Sequence, residues 1–401
     1  MITRRDALKL CAGASAFAVS RFAVARYAAA PGGPAWRVTG PDAPALAAFD
    51  ERAREFMHAA GVSAGQLAVS LRGRLVFNHA YTNGAEHPTV ETTNLFRIAS
   101  CSKLFTCAAI ETLRASGQLD MKTRVFPLLD IHAPGVPGQR PPQHINDITV
   151  QNLVDHSGGW NDHGAFTAKN GQKIPSSNWD PVFGIRKIAQ ELRLSGLPTK
   201  MDMARYMYGQ PLQFAPGTQN FDTTSGNSYS NIGYMLLGLV VEKVSGRSYI
   251  EFVRAVPLAH DGTSDVYLAH TAARERMPRE VWYEDGGTGP SALFPFKDVI
   301  VPNPYGGEGY VTELMDSGGG LATTAGTLAR FIGQHATWGL GGRAPGAERS
   351  GSMAGTSSYA MSRPNGVDCA FIFNTRNFKD AHAYENFTNN VRKLCDSQHF
   401  A

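Results

Sequence analysis

Two hairpin patterns at opposite ends of the chain limit what it can fold into. Near the start, Leu67-Ala68-Val69-Ser70-Leu71 and Leu75-Val76-Phe77 flank Arg72-Gly73-Arg74. These are short apolar runs around a turn-forming glycine. Near the end, Ser357 to Arg363 and Val367 to Asn374 flank Pro364-Asn365-Gly366, and Asn-Gly is the preferred two-residue hairpin turn. Helical spacing flanks both. Leu46, Phe49, Ala53, Phe56 and Ala60 recur at three- and four-residue intervals, with Asp42 able to cap the helix. A second helix is expected over Asp380–Leu394, with Phe387, Val391 and Leu394 on one face. Strands therefore lie at both chain ends, and helices close the sheet.

The middle of the chain reads differently. Thr149 caps a short helix carrying Val150, Leu153 and Val154, and Asn231 to Ser245 is a strongly apolar helix stopped by Gly246. Ser248-Tyr249-Ile250-Glu251 is a capping box opening the next helix. Gly- and Pro-rich loops, notably Gly158–Asp180 and Tyr283–Gly309, separate these pieces. The expected domain spans 42–401. An α/β lobe takes residues of about 42–118 and 318–401, and a mostly helical lobe of about 119–317 is inserted between. A site at the seam of two lobes is the place to look first. At 401 residues and 43% hydrophobic, the chain is neither a disordered tail nor a collagen-like repeat nor a polytopic membrane protein.

Residues 1–30 read as an address. Arg4, Arg5 and Lys9 form a basic region, Leu10 to Val19 is apolar, and Ala28-Ala29-Ala30 is a small-residue cleavage pattern. The order Thr3-Arg4-Arg5 followed by Leu8-Lys9 resembles a twin-arginine export signal, with an ordinary secretory signal as the alternative. Residues 31–41 read as a linker. The whole chain carries a formal net charge of +4, and residues 1–30 hold five basic residues and one acid. The remainder thus balances at 33 basic and 33 acidic residues. The basic bias belongs to the leader and gives no reason to expect an acidic partner; export to the bacterial periplasm is the expectation. Cys101, Cys107, Cys369 and Cys395 remain after the leader, and their spacing fits neither a metal knuckle nor a disulfide framework. Buried free thiols are expected.

Three segments carry chemistry. The first is Ser100-Cys101-Ser102-Lys103 ahead of an apolar helix reaching Ala115. Three residues apart at a helix start, Ser100 and Lys103 share a face. The helix dipole there favours a developing oxyanion, and a lysine with a lowered pKa can take the serine proton. Read alone, Ser100 serves equally well as a helix cap. The second is Tyr229-Ser230-Asn231 at the start of the apolar helix, a phenol and an amide able to relay a proton and orient a partner. Ser225-Gly226-Asn227 is a competing pattern just upstream. The third is Arg349-Ser350-Gly351-Ser352 before the second hairpin. Arg349 suits a substrate carboxylate, Ser350 adds a hydroxyl, Gly351 permits close approach, and the Ser352 N–H can donate to an oxyanion.

In this order the three segments resemble the serine β-lactamase and penicillin-recognising hydrolase superfamily, specifically its class C β-lactamase-related, esterase-like branch. Asp155-His156-Ser157-Gly158-Gly159, Pro216-Gly217-Thr218, Ser317-Gly318-Gly319-Gly320 through Thr324, and Gly355-Thr356-Ser357-Ser358 extend the likeness over residues of about 45–375. The resemblance implies a β-lactamase-like fold: an antiparallel sheet from both chain ends, flanked by helices, with a helical lobe inserted. It implies Ser100 as nucleophile, Lys103 as its activating partner, Tyr229 as base or relay, and Asn231 contacting lysine or substrate. The branch usually has Lys-Thr-Gly or His-x-Gly where this chain has Arg349-Ser350-Gly351. The expectation is an exported serine hydrolase of esters or amides, with no cofactor, no metal and no nucleic-acid partner, acting on a small molecule or peptide. A true β-lactamase or D,D-peptidase, and a penicillin-binding-like receptor without turnover, are the alternatives.

Rival motifs fit less well. Gly61-Val62-Ser63-Ala64-Gly65 matches a nucleophile elbow, yet a helix precedes the serine and a strand follows it, the reverse of what that elbow needs. Asp155-His156 and Asp162-His163 lack metal-ligand spacing. His156 reads as a buried imidazole bonded to backbone.

Overall fold

The structure, a computed structural model, describes residues 36–162, 164–168, 170–219, 228–260 and 265–397. The export-signal reading of residues 1–30 and the Ser225-Gly226-Asn227 pattern lie outside them. Six strands form the main sheet: β1 (Trp36–Thr39), β2 (Ala64–Leu71), β3 (Arg74–Asn83), β4 (Glu348–Met353), β5 (Thr356–Ser362) and β6 (Val367–Phe373). Their spatial order is β1-β3-β2-β6-β5-β4, antiparallel throughout. The two ends of the chain meet at the centre, where β2 pairs with β6 and Leu71 faces Val367.

Each hairpin turn follows from its residues. Leu71 pairs with Arg74, so Arg72 (φ 50°) and Gly73 (φ 81°) form a two-residue turn with both φ positive. The second hairpin differs from the two-residue turn expected. Ser362 pairs with Asp368, the Arg363 N–H donates to Val367 O, and Pro364, Asn365 and Gly366 form a three-residue loop. Only Gly366 takes a positive φ, 86°, the form in which a type I turn is closed by a left-handed residue.

Side-chain alternation divides the core. From β2 and β6, Leu67, Val69, Cys369, Phe371 and Phe373 point to one face. There they meet α1 (Ala47–Ala60), through Phe49, Phe56 and Met57, and the C-terminal helix through Phe387 and Val391. Ala64, Ala68, Ala370 and Ile372 point to the other face, toward the rest of the helices. On that face α2 (Ser102–Ala115), α3 (Asn231–Ser245) and α4 (Ala325–Phe331) gather behind the sheet around one continuous core, with the three alanines leaving them room. The C-terminal helix, α5, spans Ala381–Ser397.

Two sequence readings change. Residues 31–41 do not all form a linker: Trp36–Thr39 is the edge strand β1, with Trp36 opposite Asn83 and Val38 buried in the α1-facing core. The apolar Trp36/Val38 alternation was too short to stand out. Asp42 does not cap α1 either. Pro44–Leu46 forms a 3₁₀ turn first, and the helix cap is Leu46 with no side-chain bond. Other readings agree with the structure. Thr149 caps its helix in a capping box with Asn152, the Ser248/Glu251 box is present, and Gly246 (φ 67°) ends α3 after Ser245. The four cysteines are buried and free. No helix among the described residues is long and apolar enough to cross a membrane.

Candidate active site

The segment Ala99–Cys101 is a 3₁₀ turn that runs directly into α2. Neither helix cap there uses a side-chain bond, so Ser100 is not a cap. Ala99 is held at φ 44°, a left-handed conformation that an L-residue adopts at a cost of roughly 1–3 kcal/mol. A short antiparallel sheet of Phe96–Arg97, Leu321–Thr323 and Val266–Leu268 fixes the approach to the turn. The Ser102 hydroxyl accepts from Leu321 N–H and ties the start of α2 to the same sheet.

Ser100 is partly exposed and Lys103 fully buried. Lys103 Nζ lies 3.3 Å from Ser100 Oγ, 2.7 Å from Asn231 Oδ1 and 2.5 Å from Gly318 O. Its three donor directions are thus all met by oxygen. Tyr229 Oη lies 2.8 Å from Ser100 Oγ. The phenol is held by His156, whose ring stacks on it with centroids 4.4 Å apart. His156 Nδ1 accepts from the Ser230 N–H at 3.1 Å, which places the ring proton on Nε2. The expectation of a buried histidine bonded to backbone holds. Ser230 caps α3 by accepting from Gly233 N–H, and that cap places Tyr229 and Asn231 on either side of the helix start.

Burial pushes the Lys103 pKa down, Arg349 pushes it further, and the net shift is below the ordinary lysine range despite the opposing pull of Tyr229 and Asp180. Burial alone would raise Tyr229; the neighbouring Lys103 and Arg349 charges more than offset it, and the phenol is more acidic than usual. Burial raises the Cys101 thiol to about 11, so the residue beside Ser100 is an inert thiol.

The third segment lies on β4, the edge strand of the main sheet. Ser350 and Ser352 are exposed, and Gly351 faces the Ser100 turn. A Cβ on Gly351 would sit 2.3 Å from Ile98 O and 3.0 Å from Cys101 N. Only glycine lets the strand lie that close. Arg349 is 1% exposed and points inward. Its Nε donates to Ser100 O at 3.1 Å and its Nη1 to Thr337 O at 3.4 Å, while the guanidinium covers the Trp338 ring at 4.0 Å from the centroid. The sequence reading offered Arg349 to a substrate carboxylate in a bidentate grip. In the structure two of its three nitrogens already hold backbone, and Nη2 is buried without a partner.

The structure thus brings Lys103 and Tyr229 to the Ser100 hydroxyl, Asn231 to Lys103, and Arg349 to the backbone oxygen behind Ser100. Ser63 of the rival elbow is elsewhere: its hydroxyl donates to Glu284 at 2.7 Å and accepts from Trp282 and Asn374. Sequence reasoning missed Asp180, which accepts from Asn231 Nδ2 at 2.6 Å. Its signal was present. Asp180 precedes Pro181 and caps a 3₁₀ turn by accepting from Val182 N–H, an Asp-Pro helix-start pattern. Trp338, the platform under Arg349, stands in a Gly-rich segment with no periodicity to mark it.

A family model described as Beta-lactamase matches residues 49–371. Penicillin-binding protein 4* of Bacillus subtilis (strain 168) is 28% identical over 193 residues, covering 47% of this chain and 34% of that protein. The chain therefore spans about a third of the length of the curated relatives it matches. Among solved structures, one described as a class C beta-lactamase has a TM-score of 0.58 and 16% identity, covering 90% of this chain and 99% of that one. A D-stereospecific amidohydrolase from Streptomyces sp. has a TM-score of 0.53 and 20% identity, covering 86% and 98%. At these identities the structural likeness speaks for the fold.

Proposed function

This chain belongs to the β-lactamase family, and from that premise we propose that it is a serine hydrolase opening esters or amides through an acyl-enzyme on Ser100. One observation carries the reading: Ser100 Oγ, partly exposed, has Tyr229 Oη at 2.8 Å and Lys103 Nζ at 3.3 Å. A hydroxyl reached by two groups with lowered pKa is an activated nucleophile. Ser100 Oγ bonds to the substrate carbonyl carbon, and its proton passes to the Tyr229–Lys103 pair. The carbonyl oxygen takes the charge, with the N–H groups of Ser100 and Ser352 as its donors. The proton then goes to the leaving alkoxide or amine as the C–O or C–N bond breaks. Water, activated by the same pair, attacks the acyl carbon and frees Ser100.

Arg349 serves this chemistry as a fixed charge and a brace. Its bond to Ser100 O holds the nucleophile's backbone, and its charge favours neutral Lys103 and ionised Tyr229. The relatives named for penicillin binding and for D-stereospecific amide hydrolysis support acyl donors that include D-amino-acid derivatives. Arg349 in place of the usual lysine or histidine favours ester and amide turnover over efficient β-lactam turnover. The twin-arginine-like start supports export to the periplasm.

The test is Ser100→Ala. It should abolish both fluorophosphonate labelling and p-nitrophenyl ester hydrolysis while the protein stays folded. Labelling that survives in this variant sinks the assignment. A nitrocefin assay on the parent protein separates β-lactam turnover from ester hydrolysis, and a stable acyl adduct without turnover, seen by intact mass, would favour the receptor reading.

A further inference from the structure

We propose that Asp180 is a positioning residue that fixes the side-chain amide of Asn231, and through it the place of Lys103. The inference rests on the proposed role of Ser100 and Lys103 and adds a residue outside the three segments. An asparagine amide is nearly symmetric in shape, so its neighbours decide which end faces where. Here the neighbours are of opposite kind. Charged, Lys103 Nζ has only donors; neutral, its lone pair faces Ser100 Oγ and its two N–H groups remain for Gly318 O and Asn231 Oδ1, so in either state it meets Asn231 Oδ1, at 2.7 Å, as a donor. Asp180 Oδ2, as a carboxylate, only accepts, and it takes Asn231 Nδ2 at 2.6 Å. A single orientation of the amide satisfies both. Asp180 is in turn anchored by the Val182 N–H on Oδ1 at 3.1 Å, so the acceptor is fixed to backbone.

Without the carboxylate, the amide can turn its NH₂ toward Lys103. Donors then face donors, and Nζ loses one of the three oxygens that hold it beside Ser100. A displacement of this order affects the rate of a positioned reaction more than the binding of substrate. Asp180 also faces two charged groups, Asp162 and Lys103. Burial and the Asp162 charge raise its pKa to about 7, so the anchor itself changes state near neutrality. Its negative charge raises the Lys103 pKa. Removing that charge lowers Lys103 further and moves the acid limb of kcat/KM to lower pH.

Asp180→Asn keeps an oxygen for the Val182 cap and removes the charge. The expected result is kcat lowered about 10- to 100-fold with KM little changed, and an acid limb moved to lower pH. The same substitution in an Asn231→Ala background should have no further effect on kcat, because the pair acts as one unit. Asp180→Asn with the parent's kcat and pH profile overturns the proposal, and so does an undiminished effect in the Asn231→Ala background. Should Asp180→Asn not fold, the parent protein answers. With ¹⁵N-asparagine labelling, the Asn231 side-chain NH₂ resonance should shift with a midpoint near pH 7; a resonance flat from pH 5 to 9 refutes the coupling. Ser100→Ala separates the two readings. Lost labelling in that variant beside normal Asp180→Asn kinetics sinks only the positioning role.

Discussion

Gly351→Ala tests how finely β4 is set against the Ser100 turn. The new Cβ would lie 2.3 Å from Ile98 O, 2.5 Å from Ser358 Oγ and 3.0 Å from Cys101 N. Ser358 can rotate, although its hydroxyl already donates to Ile98 O at 2.7 Å. Ile98 O and Cys101 N are backbone and cannot. Ordinary contact starts near 3.4 Å, so strand and turn must separate by about 1 Å. Two consequences follow. Forced overpacking of this kind costs about 1–3 kcal/mol of stability, readable as a lower midpoint in urea with an unchanged slope. The gap also opens between Ser352 N–H and Ser100, where the oxyanion would sit, and a shift of about 1 Å there costs about 100-fold in kcat. The assay is p-nitrophenyl ester hydrolysis alongside urea unfolding. Fluorophosphonate labelling should persist at a reduced rate, because Ser100, Lys103 and Tyr229 keep their places. Gly351→Ala at the parent's rate and stability would refute the argument that close approach is what glycine supplies here.

Further outcomes are expected. Tyr229→Phe should lower kcat about 100- to 10,000-fold, since it removes the acid–base group nearest Ser100 Oγ. In the parent protein kcat/KM should rise with pH as the Tyr229–Lys103 pair, both members lowered, gives up a proton and can accept the serine's; an acid limb that neither Tyr229→Phe nor Asp180→Asn moves would refute this. Phe387→Ala should destabilise by about 3–5 kcal/mol, because that ring packs on Phe56 at 4.8 Å and Phe371 at 4.9 Å. Its kcat per folded molecule should not change, and a change would mean that the α1–α5 layer reaches the site.

The sheet was legible because both hairpins carry turn residues between apolar runs, and the pairing of distant ends follows once each hairpin needs neighbours. Local pattern placed Ser100, Lys103, Tyr229 and Asn231 at helix starts but left Ser100 equally readable as a cap; it was the order of the three segments, and the family resemblance it carries, that pointed to them as a site. What could not be read depends on contacts distant in sequence. Nothing near Arg349 says that its guanidinium turns inward to Ser100 O, since Trp338 and Thr337 come from another segment. Asp180 lies in a Gly- and Pro-rich loop whose path sequence does not give. β1 was lost because four residues hold too little periodicity; the second loop keeps the three residues read between its strands, and only the two-residue turn type that Asn-Gly favours is not the one formed.

The central pairing of β2 with β6 has a consequence for how the protein is made. Leu71 waits for Val367, so during synthesis the inner edge of the first hairpin stays bare while about 300 residues follow, roughly 15–60 s at ~5–20 residues per second. A bare apolar edge invites pairing with other chains. On the ribosome, then, β2 keeps one edge unpaired until Val367 emerges, and the sheet is among the last parts of the fold to close.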